Sequence, residues 1–160
     1  MTSSNREPNI FIALGANIPS ALGPPEVTLM SALKALAEAG VTIQCISRLH
    51  HTPAWPDPSD PPFTNAVAGI ETVLKPMELM ALLHKVETDH GRTRSTKNAP
   101  RTLDLDLIDY RGLVQDGPLV LPHPRMGTRR FVLEPLAEIA PFWRHPISGR
   151  SAAELLAGLT

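Results

Sequence analysis

Two aspartates carry the strongest chemical signal in this chain of 160 residues. In Leu103-Asp-Leu-Asp-Leu-Ile-Asp-Tyr110 a strand would send Leu103, Leu105 and Leu107 to one face and Asp104 and Asp106 to the other. The two carboxylates would then stand about 6.5–7 Å apart along the chain. A bare DxD is more often a solvated strand face than a site. Its functional alternative is a hard-cation site, because two carboxylates leave room for Mg²⁺ with waters and substrate phosphates. The neighbouring residues bear on the choice. Arg92, Arg94, Lys97 and Arg101 precede the strand in an acid-free stretch, and a second acid-free window, Gly117 to Leu133, carries His123, Arg125, Arg129 and Arg130. Guanidinium forks match phosphate oxygens, although any one of these cations alone reads as a solvated surface group. Cations gathered around a carboxylate pair suit a metal–nucleotide site, where phosphoryl transfer is stabilised by charge and position. No Walker A pattern occurs, which excludes a P-loop enzyme.

A third constellation is Phe63, Asn65 and Phe131. A ring beside a neutral amide can hold a flat heterocycle, the ring stacking on a face and the amide pairing with an edge. Either Phe alone reads as core. Asn65 is more telling, since an amide opening an apolar strand must be satisfied. The six histidines are scattered without ligand spacing, which argues against zinc. Cys45 is the single cysteine and reads as core.

The elements that must position these groups follow from periodicity. Asn9 to Leu14 reads as a buried strand ending at Gly15-Ala-Asn17, after a frayed tail over 1–8. Pro24 and Pro25 suit a first helical turn, and Leu29, Leu33 and Leu36 recur at helical spacing up to Gly40. Val41 to Leu49 alternates as a strand. His50 to Phe63 holds Pro53, Pro56, Pro58, Pro61 and Pro62 and reads as an irregular loop. Thr64 to Val73 is a strand; Pro76 opens a helix with Leu79, Leu83 and Val86 on one stripe, ending at Gly91. Residues 103–110 close the order β-α-β-β-α-β. That order predicts an α+β, ferredoxin-like βαββαβ core with an antiparallel sheet and two helices on one face. Beyond it, Leu119 to Leu121 reads as an extra C-terminal strand, and 131–139 and 151–158 as added helices. Residues 9–160 are expected to form one domain.

Composition narrows the function classes. There are 15 basic and 16 acidic residues, and the formal charge is −1, so no bulk field points to a nucleic-acid partner. The longest apolar stretch, Ile10 to Leu14, is far short of a spanning helix, and no signal pattern opens the chain, so the protein is expected to be cytoplasmic and without a membrane partner. Prolines number 17, about twice the usual share, and shape loops in a folded protein.

Ala99-Pro-Arg-Thr-Leu-Asp-Leu-Asp-Leu-Ile108 resembles the signature of the 6-hydroxymethyl-7,8-dihydropterin pyrophosphokinase family. The resemblance extends over Leu14-Gly-Ala-Asn17, Thr52-Pro53 with Phe63 and Asn65, Glu87 with Gly91-Arg-Thr-Arg94, and Leu121-Pro-His123 with Arg129 and Phe131, from about residue 9 to 147. It implies transfer of the β,γ-diphosphate of ATP to the hydroxymethyl group of the dihydropterin, with release of AMP. It also implies two Mg²⁺ ions held by Asp104 and Asp106, and ATP contacts from Glu87, Arg92, Arg94, Lys97, Arg101, His123 and Arg129. By the same resemblance Arg92 and Arg101 touch the transition state. Phe63 and Phe131 sandwich the pterin, Asn65 reads its edge, and Thr52, Pro53 and Trp55 line the pocket. The partners implied are two small molecules, and the expected state is a monomer or a weak homo-oligomer. The sequence departs from the family pattern at Asn98, where a tryptophan is common before the Ala-Pro-Arg triplet, in a loop one residue shorter. Phe63 stands where tyrosine is frequent, and Ala16 where serine is. A ferredoxin-like regulatory module is the alternative reading, and it leaves the framed carboxylates unexplained. An RNA-recognition module lacks its aromatic strand motif.

Overall fold

The computed structural model describes residues 7–53, 57, 59, 62–91 and 102–159. Their elements run β1 (Ile10–Ala16), α1 (Pro25–Glu38), β2 (Thr42–Ile46), β3 (His50–Thr52), β4 (Phe63–Glu71), α2 (Pro76–Asp89), β5 (Asp104–Tyr110), a 3-10 turn (Met126–Thr128), α3 (Arg130–Ile139) and α4 (Ala152–Ala157). The sheet order is β2-β4-β1-β5, with β3 also paired to β4 and every pairing antiparallel. This is the expected ferredoxin-like order, since the first and third strands of the repeat lie side by side at the centre.

Both faces of the sheet are covered. On one, Ile10, Ile12, Leu14, Leu105 and Leu107 pack against Leu29, Leu33 and Leu36 of α1 and Leu79 and Leu83 of α2. On the other, Phe11, Val67 and Ile108 pack against Val132, Leu133 and Leu136 of α3, with Met126 and Ala152. The C-terminal third, expected as added helices, is thus a complete second layer. Its short helix is well started: Ser151 Oγ accepts the Glu154 amide at 3.1 Å while Glu154 Oε1 accepts the Ser151 amide at 2.9 Å, a capping box.

Three local expectations need correction. The proline-rich segment does not begin at His50, because His50, His51 and Thr52 form β3 against Asn65, Thr64 and Phe63. Between β2 and β3 the chain is stitched to β4 at Ser47, whose amide donates to Val67 O at 2.9 Å and whose Oγ accepts the Val67 amide at 3.0 Å. Two short strands therefore share one partner. The expected extra strand at 119–121 is a single bridge, Gln115 with Leu121; Pro118 and Pro122 flank it and offer no amide donors to extend it. Among the described residues no strand follows β5. Cys45, expected in the core, is half-buried on β2 beside Gly69, and burial raises its thiol pKa. Before β1, Pro8 packs over Gly69 and the Asn9 carbonyl accepts the Arg111 amide at 2.7 Å. Among the described residues no helix is long and apolar enough to cross a membrane.

Candidate active site

The site is assembled across the sheet on the α3 face. Asp104 is registered against Gly15, Gly15 against Asn65, and Asn65 against His50. Opposed residues of an antiparallel pair share a face, so β5, β1, β4 and β3 present one transverse row. Asp104 and Asn65 are two strand spacings apart, about 10 Å. Asp106 stands one pleat further along β5, opposite Ala13, and both aspartates are partly exposed while Leu105 and Leu107 are buried. The alternation expected for Leu103–Leu107 is present.

β5 lies at the sheet edge and is held from outside by two devices. Glu87, on the last turn of α2 and 1% exposed, accepts the Leu105 amide through Oε2 at 2.7 Å. That bond fixes the backbone between the two aspartates. A bulge follows: Phe11 opposes Asp109 but Ile12 opposes Leu107, so Ile108 is an extra residue. Its carbonyl accepts the His123 amide at 2.9 Å, which brings the loop after the cis Leu121-Pro122 bond alongside β5.

His123 is thereby set near Asp104 and between cations. Its Nδ1 accepts the Arg125 amide at 3.1 Å, so the proton of the neutral ring sits on Nε2. Burial, then the charges of Arg129 and Arg125, push its pKa down to about 4, with Asp104 opposing. At neutral pH it is an uncharged N–H donor. Arg129 lies with its guanidinium 5.4 Å from the centre of the Phe131 ring, and Phe131, in the first turn of α3, is 38% exposed. The ring is thus partly open to solvent with a guanidinium over it.

The other aromatic comes from β4. Phe63 pairs with Thr52 and, by alternation, shares the face of Asn65 and Val67. Asn65 is 6% exposed and donates from Nδ2 to Thr52 Oγ1 at 3.1 Å. The β3–β4 hairpin is tied to α3 by Glu138, which accepts from the Arg48 amide at 2.7 Å and lies 3.0 Å from His50 Nε2. Glu134 is 3.9 Å from His50 Nδ1. Although burial opposes it, the Arg48 amide and His50 hold the Glu138 carboxyl below its ordinary pKa. Phe63 and Phe131 are thus carried by two elements clamped to each other. Sequence reasoning missed this clamp, since His50 and Glu138 are 88 positions apart and neither has a motif.

Of the expected site residues, Thr52, Pro53, Phe63, Asn65, Asp104, Asp106, His123, Arg129 and Phe131 are described and come from segments meeting on this side of the sheet, whereas Glu87 belongs to α2 in the opposite layer, where it is buried and bonded to the Leu105 amide. Trp55, Arg92, Arg94, Lys97 and Arg101 lie outside the described residues. Among the described residues no three His, Cys, Asp or Glu side chains gather as a metal cage. Two carboxylates with only oxygen donors fit Mg²⁺, which keeps waters and takes substrate phosphates as its other ligands. A separate open depression of about 300 Å³, lined by Asn9, Asp109, Phe142 and Trp143, lies toward the opposite end of β1 and shares none of these residues.

The ferredoxin-like sheet sets paired carboxylates beside a neutral imidazole and an arginine, two strand spacings from a buried amide, an arrangement that suits an enzyme acting on small anionic substrates. Residues 11–141 match the family described as 7,8-dihydro-6-hydroxymethylpterin-pyrophosphokinase (HPPK), and the chain belongs to that family. It is 40% identical over 147 residues to the 2-amino-4-hydroxy-6-hydroxymethyldihydropteridine pyrophosphokinase of Synechocystis sp., covering 91% of this chain and 73% of that protein. Proteins of the same name from Pseudomonas aeruginosa and Methylorubrum extorquens are 37% and 38% identical, over 92% and 93% of this chain and 90% and 92% of theirs. The chain is an enzyme, and its activity is the pyrophosphokinase step of folate biosynthesis.

Proposed function

We propose that the transverse row from Asp104 to Asn65 is where this chain aligns ATP with 6-hydroxymethyl-7,8-dihydropterin. The pterin lies between Phe63 and Phe131, its edge on Asn65, in a pocket walled by Thr52, Pro53 and Trp55. The triphosphate lies over β5, met by Arg129 and the Nε2–H of His123, with Arg92, Arg94, Lys97 and Arg101 as further cationic contacts. The hydroxymethyl oxygen forms a bond to the β-phosphorus as the bond from that phosphorus to the α,β-bridging oxygen breaks. AMP leaves, and the hydroxyl proton passes to solvent. Asp104 and Asp106 hold two Mg²⁺ ions, which when bound neutralise phosphate charge and acidify the acceptor hydroxyl. Glu87 keeps the two carboxylates in register through the backbone between them, and Arg92 and Arg101 stabilise the transferring group. The working unit is a single domain over 9–160, a cytoplasmic monomer or weak homo-oligomer with small-molecule partners only.

The observation that carries the reading is the register of Asp104, Gly15 and Asn65, which sets a carboxylate and a buried amide two strands apart on one face. A non-catalytic binding module of the same fold would leave the carboxylate pair without a purpose. The test is AMP release. It should require both the hydroxymethyldihydropterin and Mg²⁺, and Asp104→Ala should lower turnover at least about 100-fold with an unchanged circular dichroism spectrum. No AMP from folded protein at saturating substrates would overturn the reading, as would near-normal turnover by Asp104→Ala.

A further inference from the structure

A glycine stands at the centre of the row described above, and its backbone does not call for one. Six glycines of the chain have positive φ, and Gly15 is not among them. Any residue could adopt its conformation; the constraint is space. A Cβ built on Gly15 would lie 2.7 Å from Asn65 Oδ1, whereas its nearest backbone neighbour, Thr64 O, would be at an ordinary 3.8 Å. The missing side chain is therefore filled by the oxygen end of one carboxamide. Its nitrogen end is held from the other side, where Nδ2 donates to Thr52 Oγ1 at 3.1 Å.

We propose that Gly15 and Thr52 are positioning residues for Asn65: the glycine seats Oδ1 over β1, Thr52 holds Nδ2 toward β3, and together they set which end of the amide accepts and which donates. This rests on the reading of Asn65 as the group that pairs with the pterin edge. One Nδ2 hydrogen and the Oδ1 lone pairs remain for the ligand after Thr52 is served. A heterocycle whose edge alternates donors and acceptors is matched by one orientation of that amide and refused by the rotated one. Sites built from such pairs discriminate strongly because a mismatched buried group is left unpaired. A methyl at position 15 meets only the end of a side chain. The response is a rotation of Asn65, not a rearrangement of the sheet.

The experiment is steady-state AMP formation with each substrate varied in turn. Gly15→Ala should raise KM for the dihydropterin about tenfold while KM for ATP moves less than about twofold. In an Asn65→Ala background, where the clash is gone, Gly15→Ala should add less than about a twofold change. Thr52→Val should raise the pterin KM in the same selective way, and Thr52→Ser should restore it. Full additivity with Asn65→Ala, an unmoved pterin KM in Gly15→Ala, or equal rises in both KM values would overturn the assignment. If Gly15→Ala fails to fold, the Thr52 pair decides: no selective effect of Thr52→Val, or no recovery in Thr52→Ser, overturns it. Wild-type protein that forms no AMP would overturn the reaction itself; wild-type turnover with unselective variants would overturn only this role.

Discussion

His123 is a histidine arranged to stay uncharged where charge would be expected. Phosphates attract imidazolium, yet burial and two arginines hold this ring neutral, leaving Arg129 as the cation and His123 as a fixed donor. The arrangement has a consequence for stability. The folded pKa of about 4 lies below the unfolded value of 6.5, so between those values the unfolded chain takes up a proton that the folded chain refuses. Stability from this group is complete above pH 6.5 and falls on acidification through that window. His123→Asn retains an acceptor for the Arg125 amide and removes the titration. Melting temperatures from pH 7 to 4, without nucleotide or divalent cation, should decline less steeply for the variant than for wild type; parallel curves would refute the assignment. At this scale Asp104 and Asp106 were legible because a strand repeats every two residues and the leucines marked the phase. Gly15 was not. Its role depends on which residue lies across from it, and register between strands leaves no trace in either strand alone.

Among the elements, β3 and α3 matter most for the proposed pterin pocket. Neither is long, and the strand escaped notice because its residues, two histidines and a threonine, carry no apolar alternation and lead into five prolines. What holds it is β4 on one side and Glu138 on the other. His50→Ala should cost about 1 kcal/mol, since the pair is partly exposed. It should raise the pterin KM more than the ATP KM by loosening Phe131 relative to Phe63. Chemical denaturation and the same two-substrate kinetics check both effects, and an ATP-selective defect would contradict the clamp. By contrast α1 and α2 were plain in the sequence, with proline at the start, glycine after the end and leucines at three-to-four spacing between. Long periodic elements announce themselves; short ones fixed by distant side chains do not.

For the whole molecule, the two-layer covering of the sheet was only half visible. The βαββαβ order predicted helices on one face, but the second face is closed by α3 and α4, whose apolar stripe is short. That layer also delivers His123, Arg129 and Phe131, so stability and site share it. Leu133→Ala should destabilise the protein by about 2–5 kcal/mol, as expected for a fully buried leucine. The loss should appear in one cooperative transition that removes both layers together. A two-step melt, with the α1–α2 layer surviving, would show the second layer to be an independent addition.

The edge position of β5 has a cost that the enzyme must manage. A strand open on one side invites pairing with another chain, and in the function proposed above it is also the strand over which the triphosphate lies. Glu87 occupies the Leu105 amide and His123 occupies the Ile108 carbonyl, so two backbone groups that a foreign strand would need are already taken. Asp106 lies between them and Asp104 just before, so the edge also carries two like charges. The residues that keep the carboxylates in register therefore also guard the protein against edge-to-edge aggregation.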